Sequence, residues 1–260
     1  MQNAKQVTSG LVLRETETKE ADKILTVLTP DLGKISVIAR GARRKNSRIA
    51  AACQLLAYSE MTVYERGNWF YLDEASTIEL FDALRCDFEK LALAAYLSEL
   101  TEAVSDGAAV SEILPLLLNA FYALSALNKE PLLVKTAFEL RLMALSGFEP
   151  LADGCAVCGV AEPDKPMLDV VQGVLHCAAC RQKGGLSLPL TKGGVAALRH
   201  VLYCAPKRLY AFQVEPSTLR LLSHASEAFI AAQLERGFRT LDYYKSILSS
   251  QEETTYDRII

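Results

Sequence analysis

Apolar residues recur at strand spacing through the first eighty positions and at helix spacing through the rest of the chain. The runs Gly10–Leu13, Lys23–Leu28, Lys34–Ala39, Met61–Tyr64 and Trp69–Leu72 are rich in β-branched and aromatic residues, which suit a pleated, half-buried surface. Pro30-Asp31-Leu32-Gly33 and Arg66-Gly67-Asn68 are turn signals between neighbouring runs. Five short strands in about seventy residues predict a small closed or nearly closed barrel. An oligonucleotide/oligosaccharide-binding (OB) barrel and an SH3-like barrel fit that count equally. Alternation along the last run sets Phe70 on one face, Trp69 and Tyr71 on the other. One set fills a core; the other is a candidate for stacking bases, against the plainer reading that barrel aromatics are core.

From residue 82 the period is helical. Leu84, Phe88, Leu91, Ala95 and Leu97–Leu100 repeat at three and four residues, with Asp82 as the expected N-cap. A second helix is expected from Ser111 or Glu112 to Leu127, with Pro115 in its first turn. A third runs from Pro131 through Leu142 and stops at Gly147. Helical patterns resume at Thr191–Leu198, Ser217–Gln233 and Thr240–Leu248; a polar tail, Ser249–Thr255, is expected to be mobile. The chain therefore reads as a multi-domain β + α protein in four segments. Residues 1–80 form the barrel, 81–150 the first part of a helical domain, 151–188 a turn-rich insert and 189–260 the second helical part.

The insert holds the most specific chemistry. Cys155-x-x-Cys158 and Cys177-x-x-Cys180 are separated by eighteen residues. Each pair brings two thiolates to one ion from a tight turn, and two pairs complete a tetrahedron. Zinc suits four sulfurs, and such a site keeps no open position for water or substrate, so its role is structural. A disulfide pairing is the competing reading. The N-terminal stretch Met1–Val7 has no apolar h-region, so the chain is expected in the cytoplasm with reduced thiols. A thioredoxin-like redox pair needs one Cys-x-x-Cys beside a βαβ pattern, not two bracketing an insert. His176 adjoins Cys177 and is the minor alternative ligand. Cys53, Cys86 and Cys204 read as small core residues.

No apolar run approaches the roughly 20 residues of a membrane helix. The net charge of -3 by itself argues against a nucleic-acid binder, but the charges are patterned. From Leu32 to Ser59 there is no acidic residue, and Lys34, Arg40, Arg43, Arg44, Lys45 and Arg48 lie within it. Clustered cations repel one another, and a polyanion supplies the counter-charge while releasing its own condensed ions. Arginine suits bidentate phosphate contacts. These six are the candidate DNA-binding residues; a merely solvated loop is the alternative.

Signs of catalysis are missing. There is no phosphate-cradling Gly-x-x-x-x-Gly-Lys-Ser/Thr and no Gly-x-Ser-x-Gly elbow. The three histidines, His176, His200 and His224, share no metal-binding spacing, and no His-x-Glu precedes the cysteine pairs as in zinc deaminases. The expectation is a protein that is not an enzyme.

The run Leu28-Thr29-Pro30-Asp31-Leu32-Gly33-Lys34, then Ala39-Arg40-Gly41-Ala42-Arg43-Arg44, then Gly147-Phe148-Glu149-Pro150 and the two cysteine pairs, resembles the RecO family of bacterial recombination mediators over nearly the whole chain. The resemblance implies an N-terminal OB barrel and a helical domain bearing a four-cysteine zinc module. It implies binding of single- and double-stranded DNA, annealing of complementary strands, and work with RecR and RecF in loading RecA onto DNA coated by single-strand binding protein (SSB). It also implies contact with the acidic SSB C-terminal tail; Leu132–Lys135 and Lys207–Leu209 are the candidate segments for that pocket. The rival class is a protein-interaction adaptor whose basic loop binds an acidic partner.

Overall fold

The Pro30-Asp31-Leu32-Gly33 turn closes as its residue types dictate. Gly33 takes a left-handed backbone with φ 70°, which only glycine adopts cheaply. The Thr29 hydroxyl accepts from the Leu32 N–H at 3.0 Å and donates to the Gly33 carbonyl at 2.9 Å. This turn joins two of five strands: β1 (Lys5–Thr18), β2 (Asp22–Thr29), β3 (Gly33–Ala39), β4 (Tyr58–Arg66) and β5 (Trp69–Glu79). The computed structural model describes residues 4–18, 21–105, 110–181 and 185–257.

The strands close into a barrel in the order β1-β2-β3-β5-β4, β4 returning to β1. All neighbours are antiparallel except β3 and β5, which pair in parallel at Val37↔Phe70 and Ile38↔Tyr71. This is the OB arrangement, and it separates the two barrel types that strand count left open. Val12, Leu25, Val27, Ile35, Val37, Met61, Val63 and Leu72 fill the interior, with Phe70 and Ala75 packed against them. β1 and β5 outrun the expected apolar runs because their ends are polar and face outward, as at Asp73, Glu74, Ser76 and Thr77.

The helices are α1 (Asp82–Arg85), α2 (Phe88–Val104), α3 (Val110–Ser125), α4 (Pro131–Leu145), α5 (Lys192–Tyr203), α6 (Pro216–Leu234) and α7 (Arg239–Asp257). Asp82 is not the N-cap of a long helix. Phe81 in left-handed backbone precedes a single turn, and the long helix restarts with Asp87, whose carboxylate accepts from the Lys90 N–H. Pro115 lies one or two positions further inside α3 than expected, because that helix runs from Val110. α7 continues through the segment expected as a mobile tail; its polar composition gave no apolar stripe to read.

By contact the chain divides into two compact units, Met1–Ala126 with Phe238–Ile260, and Leu127–Gly237. In the first, α2 packs on β1 and α7, and α3 packs on β2 and β3. In the second, α4, α5 and α6 pack together beside a three-stranded sheet, ordered β7-β6-β8, of β6 (Pro166–Asp169), β7 (Val174–Cys177) and β8 (Ser187–Pro189). These strands are three or four residues long, too short to show a period in the sequence. Within this unit Lys135 is buried between α4 and α6. It reaches Glu139 and Glu227 at 2.8 Å each and the Ser223 hydroxyl at 3.2 Å. Ser226 donates to the other Glu139 oxygen.

Candidate nucleic-acid interface and metal centre

The β3–β4 connection, residues 40–57, is a string of turns rather than a loose loop. Arg44, Ser47 and Ala50 donate their N–H groups to the carbonyls of Gly41, Arg44 and Ser47 in succession. Gly41, at φ 65°, gives its N–H to Asp22 at 2.8 Å, and the Arg43 N–H reaches the Ala21 carbonyl. Ala42 and Cys53 drop into the barrel core. Small residues therefore fasten the connection down while the charged ones project.

The six sequence-predicted cations fall into distinct settings. Arg44, Lys45 and Arg48 are exposed, and among the described residues no carboxylate pairs with them. Arg43 is exposed but pairs with Glu17 at 2.9 Å; the β1–β2 hairpin brings over an acid that the sequence sets well away from the basic run. Arg40 lays its guanidinium over the Tyr71 ring, 4.9 Å from the centroid. Lys34 stands six residues before Arg40, about 20 Å along β3, and donates to the Glu102 carbonyl at 2.7 Å. The structure thus gathers Arg40, Arg43, Arg44, Lys45 and Arg48, and sets Lys34 apart at the C-terminal end of α2.

The sulfurs of Cys155, Cys158, Cys177 and Cys180 all lie within 4.8 Å of one another. The first pair sits on a knuckle. Gly159, at φ 75°, returns its N–H to the Cys155 carbonyl at 2.8 Å, and the Cys155 N–H goes to Val160 at 2.8 Å. Gly154 is required here, since a Cβ would stand 2.7 Å from the Val160 carbonyl. β7 delivers Cys177, whose N–H points at the Cys155 sulfur at 3.3 Å. The second pair continues through a short 3-10 turn, Ala178–Cys180. Tetrahedral metal–sulfur bonds of about 2.3 Å put sulfurs about 3.8 Å apart, and Cys158 and Cys177 stand 3.8 Å apart.

Their proton affinities point the same way. Burial pushes the Cys155 thiol up, but backbone N–H groups of Cys158, Cys177 and Val157 more than offset this and bring it to about 6. The neighbouring Cys158 sulfur, and then burial, push Cys180 up to about 12. One thiolate is welcome; Cys177 and Cys180 resist ionising beside it. A divalent cation lets all four ionise, so the donor set fits a four-coordinate metal ion.

His176 is not part of this cluster. Its ring lies between the Cys177 carbonyl at 3.0 Å and the Ser187 hydroxyl at 2.9 Å, where it joins β7 to β8. Residues that the sequence did not single out brace the module. Arg199 of α5 donates to the carbonyls of Ala152, Asp153 and Ala161 and pairs with Glu162. Gln233 of α6 donates to Val170 and Val171 at 2.9 Å each. Cys53 is core as expected, but Cys86 is exposed and Cys204 half-buried. Lys135, a candidate for a groove around an acidic tail, is enclosed and already paired. Lys207 and Arg208 remain exposed.

A family model described as Recombination protein O N terminal matches residues 1–81, and one described as Recombination protein O C terminal matches residues 85–242. This chain belongs to the RecO family. Among its RecO relatives, the DNA repair protein RecO of Acetivibrio thermocellus is 31% identical over 241 residues, 92% of this chain and 96% of that protein. The DNA repair protein RecO of Desulforudis audaxviator is 36% identical over 244 residues, with 92% and 96% covered. That of Heliobacterium modesticaldum is 32% identical over 249 residues, with 94% and 90% covered. No helix among the described residues is long and apolar enough to cross a membrane.

Proposed function

We propose that this RecO-family chain is a DNA-repair mediator without catalytic chemistry, working in the cytoplasm. It binds single- and double-stranded DNA, anneals complementary strands and, with RecR and RecF, helps load RecA onto SSB-coated DNA. The observation that carries this reading is the trio Arg44, Lys45 and Arg48, exposed, without carboxylate partners among the described residues and held on hydrogen-bonded turns of an OB barrel. Such a surface takes the phosphates of either strand, and affinity falls steeply with salt. Annealing needs no bond made or broken. It needs two repelling strands brought together with their charge partly neutralised and their bases free to pair.

The four cysteines hold zinc in this reading, and the ion's part is to fix the 151–188 insert. Of the two candidate segments for the acidic SSB tail, Lys207–Leu209 is the one whose cations, Lys207 and Arg208, are exposed. The test is annealing of two complementary labelled oligonucleotides, bare and SSB-coated, with and without the protein. The expected result is faster annealing of both at low salt, suppressed by added salt. A chain that neither binds DNA nor speeds annealing, yet captures an acidic protein, would instead be the adaptor.

A further inference from the structure

α2 packs on β1 and α3 on β2 and β3, while the outer face of β5 and β4 carries an aromatic row. Tyr71 and Tyr64 are cross-strand partners with rings stacked at 5.5 Å and 16°. Ile38 and Lys5 continue the row on the flanking strands, and one step toward the β4–β5 hairpin Trp69 pairs with Arg66. Phe70 and Leu72 point the other way, into the core. Trp69 is 40% exposed, and Tyr64 and Tyr71 are half-exposed. Arg40, whose guanidinium covers Tyr71, is the residue from which the basic connection departs. Arg40 therefore joins the aromatic row to the basic connection at the end of β3.

A tyrosine pair that served only the sheet would need no cation over it and no exposed tryptophan beside it. Bases offer flat faces to aromatic rings whatever their identity, and arginine planes stack on both. We propose that the Tyr71–Tyr64–Trp69 face, with Arg40, is a base-stacking platform for a single strand whose phosphates lie on Arg44, Lys45 and Arg48. The inference rests on the DNA-binding reading of the barrel and adds to it a preference for unpaired bases, since bases inside a duplex have no free face to stack.

The experiment uses the intact chain, in which Trp69 is the sole tryptophan. Two probes are titrated: an oligothymidylate of about 15 nucleotides, near the upper span of one such barrel, and an abasic strand of equal length and charge. Anisotropy reads affinity; Trp69 fluorescence reads stacking. The expected result is quenching by oligothymidylate only. A Tyr64→Leu/Tyr71→Leu variant loses about ten- to a hundredfold in affinity for oligothymidylate and nothing for the abasic strand, while Tyr64→Phe/Tyr71→Phe restores binding. Should the leucine variant fail to fold, Trp69 quenching in the native and phenylalanine chains decides. Equal affinity and equal quenching for both probes overturn the platform but leave the phosphate reading standing. If neither probe binds, both readings fall.

Discussion

Arg43 of the β3–β4 connection and Glu17 of β1 meet at 2.9 Å, their side chains one-third and 64% exposed. The pair divides the basic connection into a neutralised position and three, Arg44, Lys45 and Arg48, that no carboxylate neutralises among the described residues. An ion pair this exposed contributes only about 0–1 kcal/mol to folding, so it yields readily to a phosphate. Glu17→Gln should leave thermal stability nearly unchanged and release Arg43. The expected outcome is tighter single-strand binding with a salt dependence steeper by about 0.7 in log–log slope, read by anisotropy over a salt series.

The four sulfurs predict one tightly held metal per chain. A cobalt-substituted sample should show the absorption of a tetrahedral thiolate complex, and Cys158→Ser should abolish it. Loss of a metal site belongs to the mutational mechanisms that exceed about 4 kcal/mol. Chelation should therefore unfold the 151–188 insert at a lower temperature, while the barrel's oligonucleotide binding at low salt persists. Metal content by elemental analysis well below one per chain, in protein purified without chelator, would speak against the site.

Lys135 between Glu139 and Glu227 is a buried polar network whose worth lies in its completeness. Lys135→Met leaves the enclosed Glu139 without its cation and should cost about 3–5 kcal/mol. Lys135→Met with Glu139→Leu should recover a large part of that loss, since replacing a buried pair by apolar residues is often neutral. Denaturant melts of the single and double variants check this; equal losses in both would show that the pair acts through packing alone.

Tyr210 presents the opposite case. Its hydroxyl is buried with no partner among the described residues, and burial pushes its ionisation far upward. Removing an unsatisfied polar atom from such a place relieves its desolvation. Tyr210→Phe should raise stability by about 1 kcal/mol, seen as a higher denaturant midpoint at unchanged slope.

Much of this architecture was legible in the residues because local chemistry and global fold agree. The Pro30–Gly33 turn, the alternation that sets Phe70 and Trp69 on opposite faces, and the paired cysteines each state their own geometry; which face is the core came only from the barrel's closure. What was hidden depends on distance in sequence. Nothing local announces that Glu17 reaches Arg43, that Lys34 faces α2, or that Arg199 laces the knuckle to α5. Nor does a period survive where elements are very short, as in β6 to β8, or polar throughout, as at the end of α7. Asp82 misled because Phe81, in left-handed backbone, occupies the cap of a single turn, and the long helix starts afresh from Asp87.

The central claim is that Arg44, Lys45 and Arg48 hold the phosphates of a DNA strand. The most direct measurement is the salt dependence of oligothymidylate binding by the native chain and by an Arg44→Ala/Lys45→Ala/Arg48→Ala variant. Each lost phosphate contact on a single strand removes about 0.7 from the slope of log affinity against log salt. The account predicts a slope shallower by about 2 in the variant, with the fold unchanged by circular dichroism. Identical slopes for the two proteins would contradict it.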